Sequence, residues 1–295
     1  MEIISSCPVC ASSETKPFIS CTDYTVTQKT FQIVECLACA FLFTNPRPQQ
    51  EGIGEYYQSE DYISHSNSNK GLFNKLYKTV RNVTIARKLR IINKHVSRGT
   101  LLDIGCGTGE FLLYCKQQGW KTIGIEPGES ARKFAQEYHK LDVRNEESIK
   151  DIPASSYDVV TLWHVLEHVH ELNERVSELN RVVKDNGIVI IAVPNHTSYD
   201  ASHYKEFWAA YDLPRHLYHF SPKTITSLFQ KHGLKKVETL PMKFDPYYVS
   251  MLSEKYKTGK IKYLEAQMTG FKSNQKASTK KDDSYSSQIY IFKKG

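Results

Sequence analysis

Eleven residues constrain this chain more than any others: Leu101-Leu102-Asp103-Ile104-Gly105-Cys106-Gly107-Thr108-Gly109-Glu110-Phe111. An apolar run ends in an aspartate, glycines take alternate positions, and a helix-forming stretch follows. Such a strand–turn–helix lets the backbone approach a ligand with no Cβ in the way. The helix N-terminus then offers N–H groups and the positive end of its dipole. The next apolar run closes on Gly124-Ile125-Glu126-Pro127, so a carboxylate stands at the end of a second strand, where it suits two bonds to ribose hydroxyls. The loop reads GxGxG rather than the GxGxxG that cradles a pyrophosphate. An acid at Asp103 would repel a pyrophosphate and suits an ammonium group.

Around this loop, strands and helices are expected to alternate. Strand candidates are Thr100–Ile104, Lys121–Ile125, Tyr157–Leu162, Ile188–Val193, Leu234–Leu240 and Ile289–Phe292, with a short one near Leu141–Val143. Helix candidates are Glu110–Gln118, Ser130–Tyr138, Val165–Val183 and Pro222–His232. The pattern predicts an α/β fold with a doubly wound sheet over 99–295, carrying insertions at about 196–220 and 242–284. Residues 51–98 read as a helical linker or cap, with Leu72, Leu76 and Val80 on one apolar face.

The chain has 7 cysteines, an odd number that excludes a fully paired disulfide framework. Its first residues lack a basic stretch followed by an apolar one. Its longest apolar run, near Ile188–Pro194, is too short to span a bilayer. A reducing, cytoplasmic compartment without a membrane partner is therefore expected, and there cysteine clusters more often bind metal than pair. Cys7-x-x-Cys10 and Cys36-x-x-Cys39 supply four thiolates, the set that structural Zn²⁺ prefers. With strand-like Phe31–Glu35 and Phe41–Phe43 between and after them, residues 1–50 read as a zinc ribbon. Cys21 is left as a spare thiol.

The glycine loop, Asp103 and Glu126 together resemble class I S-adenosylmethionine-dependent methyltransferases over about 99–295. The resemblance implies a Rossmann-like sheet and S-adenosylmethionine as cofactor. It implies that Asp103, Gly105, Cys106, Gly107 and Gly109 line the methionine and ribose side and that Glu126, beside Pro127, holds the ribose. Asn145 and Glu146 would lie near the adenine, and Trp163 and His164 would face the sulfonium.

His164-x-x-Glu167-His168 is similar to the ExxEH segment of quinone-biosynthesis and small-RNA O-methyltransferases, where it holds a divalent metal; here His164 replaces the first Glu. On a helix the three side chains would point to one side. His168 and His216 are the candidate proton acceptors, since imidazole titrates near neutral pH. The stretch Trp208 to Ser221, with its PRHLYHFS run, resembles a methyltransferase branch that often carries an N-terminal zinc ribbon. Tyr204, Trp208, Tyr211 and His219 are its candidate acceptor contacts, as an aromatic wall suits sugar and ring faces.

The formal charge is +7, and residues 255–281, with eight Lys and one Glu, carry an excess equal to the whole. That run is expected to be a solvated, mobile insertion. Methyl transfer to a small-molecule or saccharide acceptor is the expected function. RNA methylation through the ribbon and the lysine-rich run is the alternative, and a non-catalytic cofactor-binding scaffold is the reading from another class.

Overall fold

The computed structural model describes residues 1–58, 72–280 and 284–295, and of residues 72–80 the backbone alone. The stripe expected at Leu72, Leu76 and Val80 therefore lies outside the described side chains. Strands β1 (Thr15–Thr22), β2 (Thr30–Cys36) and β3 (Leu42–Thr44) open the chain, and the long helix α1 (Leu72–His95) follows. Then come β4 (Thr100–Ile104), α2 (Glu110–Gln117), β5 (Lys121–Ile125), α3 (Glu129–Glu137) and β6 (Val143–Arg144). The chain continues through β7 (Tyr157–Trp163), α4 (Leu172–Val182), β8 (Val183–Pro194), α5 (Tyr199–Tyr204) and β9 (Tyr218–His219). It ends with α6 (Pro222–Lys231), β10 (Leu234–Pro241), α7 (Asp245–Thr258), α8 (Tyr263–Lys280) and β11 (Ser287–Lys294).

Seven strands form one sheet in the order β10-β11-β8-β7-β4-β5-β6. The five from β8 to β6 run parallel, and β11 is antiparallel to both its neighbours. Alternate residues of each strand face opposite layers. Leu101, Val159, Ile188 and Ile190 face α1, α2 and α3, whose Ile85, Leu89, Ile92, Phe111, Leu112 and Ala135 complete that core. Leu102, Val160, Val189 and Ile191 face α4 and α6, through Val176, Leu179, Leu228 and Phe229. Central strands buried on both faces explain the apolar runs that a parallel sheet requires. The chain leaves β4 outward through β5 and β6, then returns to β7 on β4's other side. The carboxyl ends of β4 and β7 are thus the switch point, where such sheets bind ligands.

A second, antiparallel sheet has the order β1-β2-β3-β9. Its fourth strand comes from the PRHLYHF stretch, far along the chain. Leu42 pairs with His219 and Phe43 with Tyr218, and Phe41, Phe43, Val34 and Cys36 join the core on the α4–α6 side of the large sheet.

Two expectations fail here. The helix expected at Val165–Val183 is a short 3₁₀ turn at Leu166–His168, then a break, then α4. Val169 is extended, and the Leu217 N–H donates to the Glu167 carbonyl, so a tertiary bond takes what a helix would have used. The lysine-rich run is no mobile insertion through residue 280. It folds into α7 and α8, which pack along each other, Gly270 lying against Tyr247 so closely that a Cβ would sit 2.7 Å from its ring.

Candidate active site

The glycine loop leaves β4 with the Gly105 N–H donating to Ile125 O at 2.7 Å. A Cβ on Gly105 would fall 2.4 Å from Val165 Cγ2, so packing alone requires that glycine. Gly107 differs: its φ is +55° and a Cβ there would meet nothing within 4 Å, which makes it the open face of the loop. Gly109 caps α2 without a side chain, leaving the helix N-terminus free for a ligand.

Glu126 stands opposite. Its Oε2 accepts from the Gly107 N–H and its Oε1 from the Gly128 N–H, both at 2.8 Å. Each oxygen keeps a lone pair, so the carboxylate is oriented and still able to accept from two hydroxyls. Asp103 is buried and accepts from Thr161 Oγ1 at 2.5 Å. Burial pushes its carboxyl up to about 7, against the pull of Thr161 and Lys88.

Lys88 of α1 is a component that the sequence analysis missed. Its ammonium lies 4.3 Å from the Trp163 ring centre and 5.6 Å from that of Phe111. Burial lowers its pKa, against the fields of Asp103 and Asp245. The signal was present: Lys88 sits among Ile85, Leu89, Ile91 and Ile92 on an otherwise apolar face. The Trp163 indole N–H is buried without a hydrogen-bond partner.

Other expected cofactor residues are already engaged. The Cys106 thiol points at Gly124, which leaves its backbone to line the loop. Asn145 accepts from the Ser148 N–H and caps a 3₁₀ turn. Glu146 pairs with Arg175. Pro127 is exposed at the rim.

His164 ends β7 with a φ of +57°. Its Nε2 lies 3.2 Å from Asp245 and its Nδ1 3.4 Å from Glu167. Burial opposes its charge, but the two carboxylates prevail and push its pKa up to about 10. The pair of carboxylates thus favours the charged form of His164. Asp245, at the start of α7, is a second component that sequence reasoning missed.

Glu167, His168 and His216 place their ligand atoms within 4.8 Å of one another. The Glu167 side chain is 1% exposed, and neither oxygen has a hydrogen-bond partner. His168 Nδ1 lies 3.0 Å from Arg215 O and 2.9 Å from the Tyr57 hydroxyl. A carbonyl only accepts, so Nδ1 carries the hydrogen and Nε2 the lone pair. The same argument applies to His216, whose Nδ1 is 2.9 Å from Ala210 O. Burial, with His216 nearby, pushes His168 down to about 4. Two imidazoles with backbone-fixed tautomers and one buried carboxylate, ion-paired to His164, form a donor set of the kind that holds divalent cations.

The four cysteines form a second such set. Cys7 and Cys39 Sγ are 3.6 Å apart, Cys10 and Cys36 Sγ 3.5 Å, and all four lie within 4.8 Å of one another. Each knuckle closes identically: the Ala11 N–H donates to Cys7 O, the Ala40 N–H to Cys36 O, and both alanines adopt a left-handed φ. A tetrahedral Zn–thiolate site, with bonds of about 2.3 Å, places sulfurs about 3.8 Å apart, so the residues fit that metal.

The expected aromatic wall is instead a seam. Tyr204, Trp208 and Tyr211 are buried in one core with Cys21, Phe31, Ile33 and Leu42 of the small sheet. Trp208 Nε1 donates to Asp200, the Tyr204 hydroxyl to Glu254, and His219 Nε2 contacts Thr44 Oγ1 at 3.3 Å. Apolar burial with satisfied polar atoms is what joins the two sheets. Trp208 and Tyr211 also edge a small cleft with Tyr24, Glu206 and Arg215, and a second, more open cleft is lined by Arg87, Lys88, Ile91, Met242, Phe244 and Asp245.

A family model described as a methyltransferase domain matches residues 77–239, more than half of the chain. The ubiquinone biosynthesis O-methyltransferase of Rickettsia akari (strain Hartford) is 31% identical over 144 residues, covering 46% of this chain and 57% of that protein. The chain spans about half the length of the curated relatives it matches. Among solved structures, a SAM-dependent methyltransferase from Archaeoglobus fulgidus aligns with a TM-score of 0.51 at 22% identity, over 76% of this chain and 100% of that one. Phosphoethanolamine N-methyltransferase 2 of Haemonchus contortus, solved with S-adenosyl-L-methionine, aligns with a TM-score of 0.50 at 17% identity, over 71% of this chain and 52% of that one. At these identities the structures speak for the fold.

Proposed function

The chain belongs to the methyltransferase-domain family, and from that premise we propose that it transfers a methyl group from S-adenosylmethionine to a small-molecule or saccharide acceptor, releasing S-adenosylhomocysteine. The carrying observation is Glu126, fixed by the Gly107 and Gly128 N–H groups across from the open face of Gly107. A carboxylate so held, at the switch point of a doubly wound sheet, suits a ribose diol. Bound S-adenosylmethionine supplies a methyl group on a positively charged sulfur.

This chain's residues position the partners. Asp103 offers its carboxyl to the amino group of the methionine moiety, and Lys88 offers a cation to its carboxylate. Trp163, whose ring already faces the Lys88 ammonium, would offer π density to a positively charged sulfur. The cleft between α1 and the β10–α7 joint receives the acceptor, since Lys88 and Asp245 belong both to it and to the cofactor side. The acceptor O, N or C forms a bond to the methyl carbon as the carbon–sulfur bond breaks. Where no cation is held there, a proton released by the acceptor would pass to an imidazole Nε2 of His168 or His216. The same Nε2 atoms and Glu167 suit a divalent cation that would orient an oxygen acceptor, as the similarity to quinone-biosynthesis O-methyltransferases suggests. The four-cysteine set is proposed to hold one structural Zn²⁺, with no open position for catalysis.

Calorimetry with S-adenosylhomocysteine tests this reading. One site per chain is expected, and a folded protein that gives no heat would sink the central claim. RNA methylation is separated by affinity for bulk RNA that persists at moderate salt.

A further inference from the structure

Helix α8 has two opposite faces of different character, and the fold uses one. Ala266, Thr269, Gly270, Ser273 and Ala277 are buried and form the packed face. On the other side Leu264, Met268 and Phe271, spaced i, i+4 and i+7, are 70%, 46% and 59% exposed. Three large apolar side chains in one stripe, open to water, are uncommon on a soluble body. Much of each remains open to water among the described residues. Ile261 and Tyr263, just before the stripe, are exposed as well.

The charge around the stripe says what would cover it. Residues 255–280 hold seven lysines and one acid, Glu265. Lys272 and Lys276 border one side of the stripe on α8, uncharged Gln267, Asn274 and Ser278 border the other, and Lys260 and Lys262 precede it. Lys276 stands over the Tyr199 ring, 3.8 Å from its centre, and Lys262 and Lys272 are exposed. A second copy of this face would bring two such lysine groups together and be repelled. Nucleic acid calls for arginine and for aromatic rings on which bases stack, whereas here arginine is lacking from 255–280 and two of the three stripe residues are aliphatic. An apolar stripe bordered by lysine is instead the pattern of a helix lying in the interface of an anionic bilayer.

We propose that α8 is a peripheral docking surface for an anionic lipid membrane, with Leu264, Met268 and Phe271 entering the acyl boundary and the lysines facing lipid phosphates. No described helix is long and apolar enough to cross a membrane; a helix that lies on one needs neither property. The position is apt for the cleft. The Asn274 side chain, one turn beyond Phe271, donates to Lys243 O at the cleft's rim, and Phe244 beside it is 51% exposed. Docking through α8 would set that mouth against the lipid surface.

Sedimentation of the full chain with vesicles tests the assignment. One set is phosphatidylcholine alone, the other phosphatidylcholine mixed with phosphatidylglycerol. The chain should sediment with the mixed vesicles, be released by salt, and stay in solution with the neutral ones. The Leu264→Ser/Met268→Ser/Phe271→Ser protein should lose binding while keeping a cooperative melt and its S-adenosylhomocysteine heat, because most of the stripe is open to water and it lies away from the glycine loop. Lys262→Gln and Lys272→Gln should each weaken binding about fivefold. Equal binding to both vesicle types would overturn the proposal, as would unchanged binding by the triple variant or none at low salt. Concentration-dependent self-association that the triple variant abolishes would also overturn it, assigning the stripe to a second copy, and a preference for RNA over vesicles would do so in favour of nucleic acid.

Discussion

The two sheets are stabilised in different ways. The large one buries β4, β7 and β8 on both faces, with Leu101, Leu102, Val159, Val160, Ile190 and Ile191 at or near zero exposure. Its strands come from one continuous alternation, and apolar area alone would hold it. The small one has three short strands of its own and borrows the fourth. It leans on three other devices: the four-cysteine set, the shared core around Trp208 and Tyr211, and buried guanidinium groups. Arg47 donates to Glu2, His170 O and the Tyr218 hydroxyl, and Arg215 donates to Asp212 and Asp23 and to Tyr56 O. A sheet too small to bury itself is tied down by charge and by a cysteine set that fits a metal, while the sheet that carries the glycine loop is not.

Removing the metal should separate the two regions most. Metal analysis should find about one Zn per chain, and Cys36→Ser should lose it. Structural Zn²⁺ binding in small domains is worth about 10–16 kcal/mol, so the small sheet should melt early while the large one holds. Far-ultraviolet melting curves would show two transitions in place of one. A Cys36→Ser protein with its full zinc content would refute the ribbon. Retention of S-adenosylhomocysteine affinity after chelation would show that the cofactor loop does not depend on the small sheet.

Arg215→Met comes next. The variant leaves Asp23 and Asp212 without their shared cation, Asp23 being 1% exposed, and uncompensated charges of this kind cost about 3–5 kcal/mol. Urea unfolding should show that loss. A change below about 1 kcal/mol would mean that the apolar seam alone joins the sheets. Replacing Glu126 probes the other region. Glu126→Gln gives up the charge that suits a ribose diol and should weaken S-adenosylhomocysteine binding about 10–100-fold. Its urea midpoint should stay put, since the side chain is at the rim. A stability loss equal to that of Arg215→Met would make Glu126 structural.

The same contrast decided what could be read from the sequence. The strands of the large sheet were legible because a parallel strand buried on both faces must be an apolar run, and the glycine loop dates the start of α2 to the residue. The convergence of the two Cys-x-x-Cys pairs was legible because that spacing lets each pair close a tight knuckle. The fourth strand of the small sheet was not, since Tyr218 and His219 are recruited by a pairing with Leu42 and Phe43 that no local pattern encodes. The turn at Leu166–His168 looked helical because its residues are helix-compatible; the bond from Leu217 overrides that preference. Helix α8 was hidden because its packed face is Ala, Thr, Gly and Ser, residues that permit close helix contact but give no hydrophobic period. The aromatic seam looked like a binding wall because sequence shows ring types and not their exposure.

Acid should produce the smallest effect, and it follows from Asp23. Burial works against its charge. The Thr27 N–H, the Arg215 guanidinium and the Thr25 and Thr27 hydroxyls outweigh burial and hold its carboxyl below the ordinary range. Asp212 is depressed likewise, burial again opposing and Arg215 prevailing. For a carboxyl lowered in the folded state, the stabilisation is complete above the unfolded value, about 3.9, and is lost as pH falls below it. Stability should therefore be flat near neutrality in this respect and decline once the pH passes below about 4. A zinc ion held by thiolates would also be released in acid, so the comparison that isolates the carboxylate is between the parent chain and Asp23→Asn, both on the Cys36→Ser background. The parent's melting temperature should fall with acid by a few degrees more than the variant's. Parallel curves would place the acid-sensitive tie outside Asp23 and leave the small sheet held by its metal and its apolar seam.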